Sequence, residues 1–143
     1  MTPENSDKPP IPCVLLIDDN EMDNEFHTIM IEETNLVSHV LSALDGEEGL
    51  KVIKETAGTD KEPTLIFLDI NMPGMDGFEF LELYKNLSSE YQLDSTILLM
   101  LTTSLMDQKR FEETCIPQLK GYLHKPLTSD KFRNLIAHHL GRA

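Results

Sequence analysis

Residues 65–80 read LIFLDINMPGMDGFEF. Four apolar residues, Leu65 to Leu68, run straight into an acid, Asp69, and Asn71, Met72, Pro73 and the turn Gly74-Met75-Asp76-Gly77 follow. A short, continuously apolar run of this kind predicts a strand covered on both faces, because a strand with one wet face would alternate. Beyond the turn, Phe80, Leu81, Tyr84 and Leu87 repeat at helical spacing. The unit is strand, turn, helix, with an acid at the carboxyl end of the strand.

The same unit recurs to either side. Residues 13–17 (CVLLI) and 97–101 (ILLML) are continuously apolar, and residues 37–43 (VSHVLSA) are interrupted by Ser38, His39 and Ser42, which suits an edge strand. A weaker fifth run, residues 121–123, lies just before Lys125 and Pro126. Helical stripes fall between the runs: Met22, Phe26, Ile29 and Met30, with Asn20 as cap; Leu50, Ile53 and Ala57; and Phe132, Leu135, Ile136 and His139, with Ser129 as cap. Ser104 and Asp107 have capping-box spacing and open a helix over 106–114 that carries little apolar surface. The pattern is (βα)5, which predicts a doubly wound α/β fold on a parallel five-stranded sheet.

Composition bounds what such a fold can do. The 143 residues, 40% of them hydrophobic, suit one domain and one core, with no room for a second module of similar size. Twelve basic against 25 acidic residues give a net charge of −13, so neither nucleic acid nor a membrane surface is an expected partner. No apolar run approaches the ~18 residues of a membrane helix. Residues 1–11, rich in Pro and polar side chains, carry no secretory pattern and read as a disordered leader to a domain over 12–143. Cys13 and Cys115 lack zinc-type spacing and read as isolated thiols, and a cytoplasmic location is expected.

In doubly wound sheets ligands bind beyond the carboxyl ends of the strands. Those ends carry Asp18 and Asp19 after the first run, Asp69 after the third, Thr102 and Thr103 after the fourth, and Lys125 after the fifth. Two like charges ~4 Å apart repel by about 4 kcal/mol at an effective dielectric of 20. A cluster of three carboxylates therefore calls for a counter-charge, which Lys125 and a hard divalent cation such as Mg2+ would supply. A carboxylate beside Mg2+ can attack phosphorus and become an aspartyl phosphate, while an ammonium and a hydroxyl, here Lys125 and Thr102, hold the equatorial oxygens.

With VLLIDDN at residues 14–20, LIFLDINMPGMDGFEF at 65–80, LTTS at 101–104 and GYLHKPL at 121–127, the chain resembles the receiver domain of two-component response regulators from about Pro12 onward, of the stand-alone type. The resemblance implies a flavodoxin-like strand order 2-1-3-4-5. It implies Asp69 as phosphoacceptor, Asp19 as a direct Mg2+ ligand, Asp18 acting through metal-bound water, and Asn71 contributing its backbone carbonyl. It further implies Thr102 as the switch hydroxyl, Lys125 as the partner of the phosphoryl oxygen, Tyr122 as the switch aromatic and a cis bond before Pro126. A sensor histidine kinase or a histidine phosphotransfer protein would supply the phosphoryl group. A downstream protein would read the result, from a monomer or a phosphorylation-dependent homodimer.

Two positions depart from the family pattern. Thr103 stands where smaller residues are usual, and a β-branched side chain there would narrow access to the acceptor and slow phosphoryl turnover. His124 precedes the lysine and reads as an outward-facing residue, and His27, His39, His138 and His139 show no metal-ligand spacing. Two rival readings bracket the expectation. A phosphatase of the haloacid dehalogenase type also combines a strand-end Asp, Mg2+ and a Lys, but needs a second acid two residues beyond the nucleophile, where this chain has Asn71. A receiver-like interaction module that takes no phosphate would normally lack one of Asp18, Asp19, Asp69, Thr102 and Lys125, and all five are present.

Overall fold

Every residue of Leu65–Asp69 is buried, as a strand with helices on both faces requires. A computed structural model of the chain describes residues 9–93, 96–102 and 119–140. The elements within them are β1 (Ile11–Ile17), α1 (Glu21–Glu32), β2 (Val37–Ala43), α2 (Gly46–Thr56), β3 (Leu65–Asp69), α3 (Gly77–Tyr91), β4 (Ile97–Thr102), β5 (Leu119–His124) and α4 (Ser129–Leu140). The five strands form one parallel sheet in the order β2-β1-β3-β4-β5. The expected order and the edge position of β2 are both found. Asp69 and Thr102 are the last residues of β3 and β4.

Successive side chains of a strand point to opposite faces, so each strand feeds two cores. Leu15, Ile17, Ile66 and Leu68 pack with Ile53 of α2 and with Phe80, Leu81 and Tyr84 of α3. Val14, Leu16, Leu65 and Phe67 pack on the other face with Ile31 of α1 and with Phe132, Leu135 and Ile136 of α4. The helices start where the local chemistry tells them to. Asn20 and Asp45 cap α1 and α2, and Asp76 with Glu79 forms a reciprocal capping box at α3.

Two sequence expectations are corrected here. In α1 the stripe of Met22, Phe26 and Ile29 does not face the core: these residues are 77%, 41% and 53% exposed, and Asn24, His27 and Ile31 are buried instead. The N-terminal half of this helix lies over strand-end carbonyls that need donors. Asn24 Nδ2 donates to the carbonyls of Asp18 and Ala43 at 3.0 and 3.3 Å, so a polar side chain outcompetes an apolar one for the inner position. Nor does Ser129 cap α4. Thr128 Oγ1 accepts from the Lys131 amide at 3.2 Å, while the Ser129 hydroxyl donates to the Met30 carbonyl at 2.8 Å and ties α4 to α1. The expected helix over 106–114, Thr103 and Cys115 lie outside the described residues.

Gly77 shows how closely the acceptor turn is packed. Its amide donates to the Ile70 carbonyl at 2.8 Å. A Cβ placed there would stand 2.9 Å from Ile70 Cα and 3.1 Å from the Asp69 carbonyl oxygen, both backbone atoms that cannot rotate aside. Gly77→Ala is therefore expected to destabilise the domain by about 1–3 kcal/mol, read as a lower urea midpoint. An unchanged midpoint would mean that the turn has room to open.

Candidate functional site

Three chain segments bring charge to the carboxyl edge of the sheet. Asp18 follows the buried β1 and is itself 2% exposed, Asp19 beside it is exposed, and Asp69 ends β3 at 6% exposed. One carboxylate oxygen from each of these three acids lies within 4.8 Å of the others, a cluster of the size that holds a metal ion. Lys125 reaches in from the turn after β5. Its Nζ donates to Asp18 Oδ2 at 2.6 Å and to Asp23 Oδ2 at 3.0 Å, and stands 3.5 Å from Asp69 Oδ1. The Lys125 amide donates to the Thr102 carbonyl at 2.9 Å, which fastens this turn to the end of β4. The Lys125–Pro126 peptide is cis, as the family resemblance implies.

The electrostatics follow from this crowding. Burial, then the neighbouring Asp18 charge, push the Asp69 carboxyl from 3.8 up to about 7, against the pull of Lys125 and a hydrogen bond from the Asn71 backbone. Burial works against the Lys125 ammonium, but its hydrogen bonds to Asp18 and Asp23 outweigh that cost and hold its pKa above the ordinary lysine value. His27, buried close behind, is driven downward by desolvation and by Lys125. Cys13 lies buried in β1 and is raised to about 11, chiefly by desolvation, so it is an inert core thiol.

The sequence-predicted residues converge. Asp18, Asp19, Asp69 and Lys125 meet in one pocket, and Thr102, buried at 1%, closes the neighbouring strand in register with His124. Asn71 is exposed and its backbone hydrogen-bonds Asp69. Tyr122 is half-buried against the core and meets His124 edge to face, with centroids 6.0 Å apart. His124 is exposed, as expected. Asp23 and Asn24 were not singled out from the sequence. Their signal was present, since both stand in the first turn of a capped helix just after the Asp18–Asp19 pair, but an acid or amide in a first turn has an ordinary explanation in helix capping and dipole effects.

The donor set is all oxygen, clustered and over-charged, which suits a hard divalent cation and gives a thiol-seeking metal nothing to bind. What the fold and this pocket define is a doubly wound α/β domain with an acid–lysine site at its carboxyl edge. The model of the response regulator receiver domain matches residues 14–137, and the chain belongs to that family, the receivers of two-component signalling. It is 31% identical over 88% of its length to a probable C4-dicarboxylate response regulator, DctR, of Halalkalibacterium halodurans, of which it spans only half. It is 28% identical over 89% of its length to protein PilG of Pseudomonas aeruginosa, covering 86% of that protein. The crystal structure of a two-component response regulator from Cytophaga hutchinsonii superposes with a TM-score of 0.80 at 31% identity, over 92% of this chain and 98% of that one. Among the described residues, no helix is long and apolar enough to cross a membrane.

The raised Asp69 value carries a pH signature with a definite sign. The folded carboxyl holds its proton up to about pH 7, whereas the unfolded one releases it near 3.8, so the folded state binds the extra proton between these limits. Stability in the presence of a chelator is therefore expected to fall by about 2 kcal/mol as pH rises from 5 to 8. Asp69→Asn should flatten that slope. Urea titrations across this range check it; a slope indifferent to Asp69→Asn would place the burden elsewhere.

Proposed function

We propose that Asp69 is the phosphoacceptor of a Mg2+-dependent transfer from a phosphohistidine, and that the domain signals through the resulting change of shape or by passing the phosphoryl group on. The observation that carries this reading is the meeting of three carboxylates and Lys125 around one strand-end acid. A carboxylate oxygen of Asp69 forms the new O–P bond as the N–P bond to the donor imidazole breaks, and the imidazole leaves with its electron pair and takes a proton. Slow hydrolysis later returns the Asp69 carboxylate and inorganic phosphate. The reading makes the domain a phosphoacceptor that turns over once per donor, not a turnover enzyme.

Asp18, Asp19, Asp69 and the Asn71 carbonyl would hold the metal, which neutralises charge on the phosphoryl oxygens when bound. Lys125 would pair with one phosphoryl oxygen and the Thr102 hydroxyl with another. Their combined preference for the phosphorylated state biases a two-state equilibrium, in which Tyr122 would follow Thr102 inward and alter the surface around β5. A sensor histidine kinase or a histidine phosphotransfer protein is the donor class. Met22, Phe26 and Ile29 form an exposed apolar strip on the helix that starts beside Asp18 and Asp19, and that strip is where the donor domain would seat.

Incubation with acetyl phosphate and Mg2+ should add one phosphoryl group, seen by mass spectrometry and mapped to Asp69. Asp69→Asn or a chelator should abolish it. Label at another residue, or label that persists in Asp69→Asn, would sink the assignment.

The docking strip has its own check. Phe26→Asp is expected to slow transfer from a phosphohistidine domain about tenfold, as loss of a central apolar contact does, and to leave the acetyl phosphate rate unchanged. An equal effect on both donors would mean that the strip plays no part in docking.

A further inference from the structure

A fourth carboxylate competes for the lysine. Asp23 lies outside the cluster formed by Asp18, Asp19 and Asp69. It sits at the third position of α1, where Asn20 Oδ1 accepts from its amide at 3.1 Å and so fixes where its side chain starts. Any helix tolerates an acid in its first turn, and such an acid normally faces water. Asp23, though 39% exposed at its side chain, instead places Oδ2 3.0 Å from Lys125 Nζ, closer than the 3.5 Å that separates Nζ from Asp69 Oδ1.

An ammonium has three N–H bonds and no other means of binding. Two are committed, one to Asp18 and one to Asp23. The third alone is left toward Asp69. Accordingly we propose that Asp23 is a positioning residue that holds Lys125 back from the Asp69 phosphoryl group and masks part of its charge, thereby setting how readily the domain is phosphorylated. This rests on Asp69 being the acceptor.

Unmasking Lys125 has opposite consequences for the two kinds of ion that enter the pocket. A freer ammonium repels a cation and attracts an anion. Removing the Asp23 charge should thus weaken Mg2+ binding while strengthening binding of a phosphoryl mimic once Mg2+ is saturating. General damage to the site would weaken both, so the split in sign separates positioning from structure.

The experiment compares the full chain with Asp23→Asn, which keeps the shape and the capped turn, and with Asp23→Glu, which keeps the charge. Mg2+ alone is titrated by calorimetry; beryllium trifluoride is titrated at saturating Mg2+ by two-dimensional NMR, alongside the acetyl phosphate rate. Asp23→Asn is expected to bind Mg2+ about threefold more weakly, and beryllium trifluoride about threefold more tightly, the weight of a half-exposed ion pair. Its acetyl phosphate rate should rise in parallel, and Asp23→Glu should move all three back toward the parent chain. Equal values for the parent and Asp23→Asn, or weakening of both ligands together, would overturn the proposal. A parent chain that takes neither beryllium trifluoride nor a phosphoryl group would instead overturn the acceptor reading of Asp69, and Asp23 with it.

Discussion

Like charge concentrated at the end of a buried parallel sheet is the constraint around which this domain is organised. Asp18 and Asp69 are nearly excluded from water, and with Asp19 they bring three carboxylate oxygens within 4.8 Å of one another. No packing gain makes that arrangement favourable by itself. Lys125, held by Asp18 and Asp23, offsets part of it, and Asp69 responds by clinging to a proton up to about pH 7. A site short of positive charge suits a cation, and under the proposed function the electrostatic strain and the reactivity are one property.

The fold holds this conflict in place by tying each charged residue to a rigid element. Asp69 is the last residue of a strand buried along its whole length, and the turn behind it is pinned by Gly77, whose amide bonds to the Ile70 carbonyl. Lys125 is fastened through its own amide to the Thr102 carbonyl, so the lysine and the hydroxyl-bearing residue belong to one backbone unit joining β4 and β5. Under the proposed function, a change at Asp69 would be felt first by Lys125, 3.5 Å away and one residue beyond β5, where Tyr122 lies half-buried against the core. Functional groups positioned by strand ends and the turns that follow them are the general habit of doubly wound sheets.

Helix α1 serves both sides of the same boundary. Its inner face is polar at the N-terminal end, where Asn24 satisfies the carbonyls of Asp18 and Ala43, and becomes apolar only at Ile31. Its outer face carries Met22, Phe26 and Ile29, and between the faces Asp23 reaches across to Lys125. The helix thus looks inverted beside an ordinary amphipathic one. Satisfying strand-end carbonyl acceptors took precedence over burying hydrocarbon on its inner side.

Much was legible in the order of residues alone. The continuous apolar runs ending in Asp69 and Thr102 determined buried parallel strands, and the acids and Lys125 fell at strand ends once that alternation was read. The five strands and the convergence of four distant segments follow from periodicity and chemistry that are local in sequence, whereas the strand order was implied by the family resemblance. Tertiary structure alone decided the inner face of α1, the choice of Thr128 over Ser129 as the cap of α4, and the engagement of Asp23 with Lys125. In each case a polar atom chose among partners more distant than a helical turn, Lys125 from Asp23 by 102 positions and Ser129 from Met30 by 99. Hydrophobic periodicity records which residues avoid water, but carries no information about which donor a buried carbonyl or carboxylate will find.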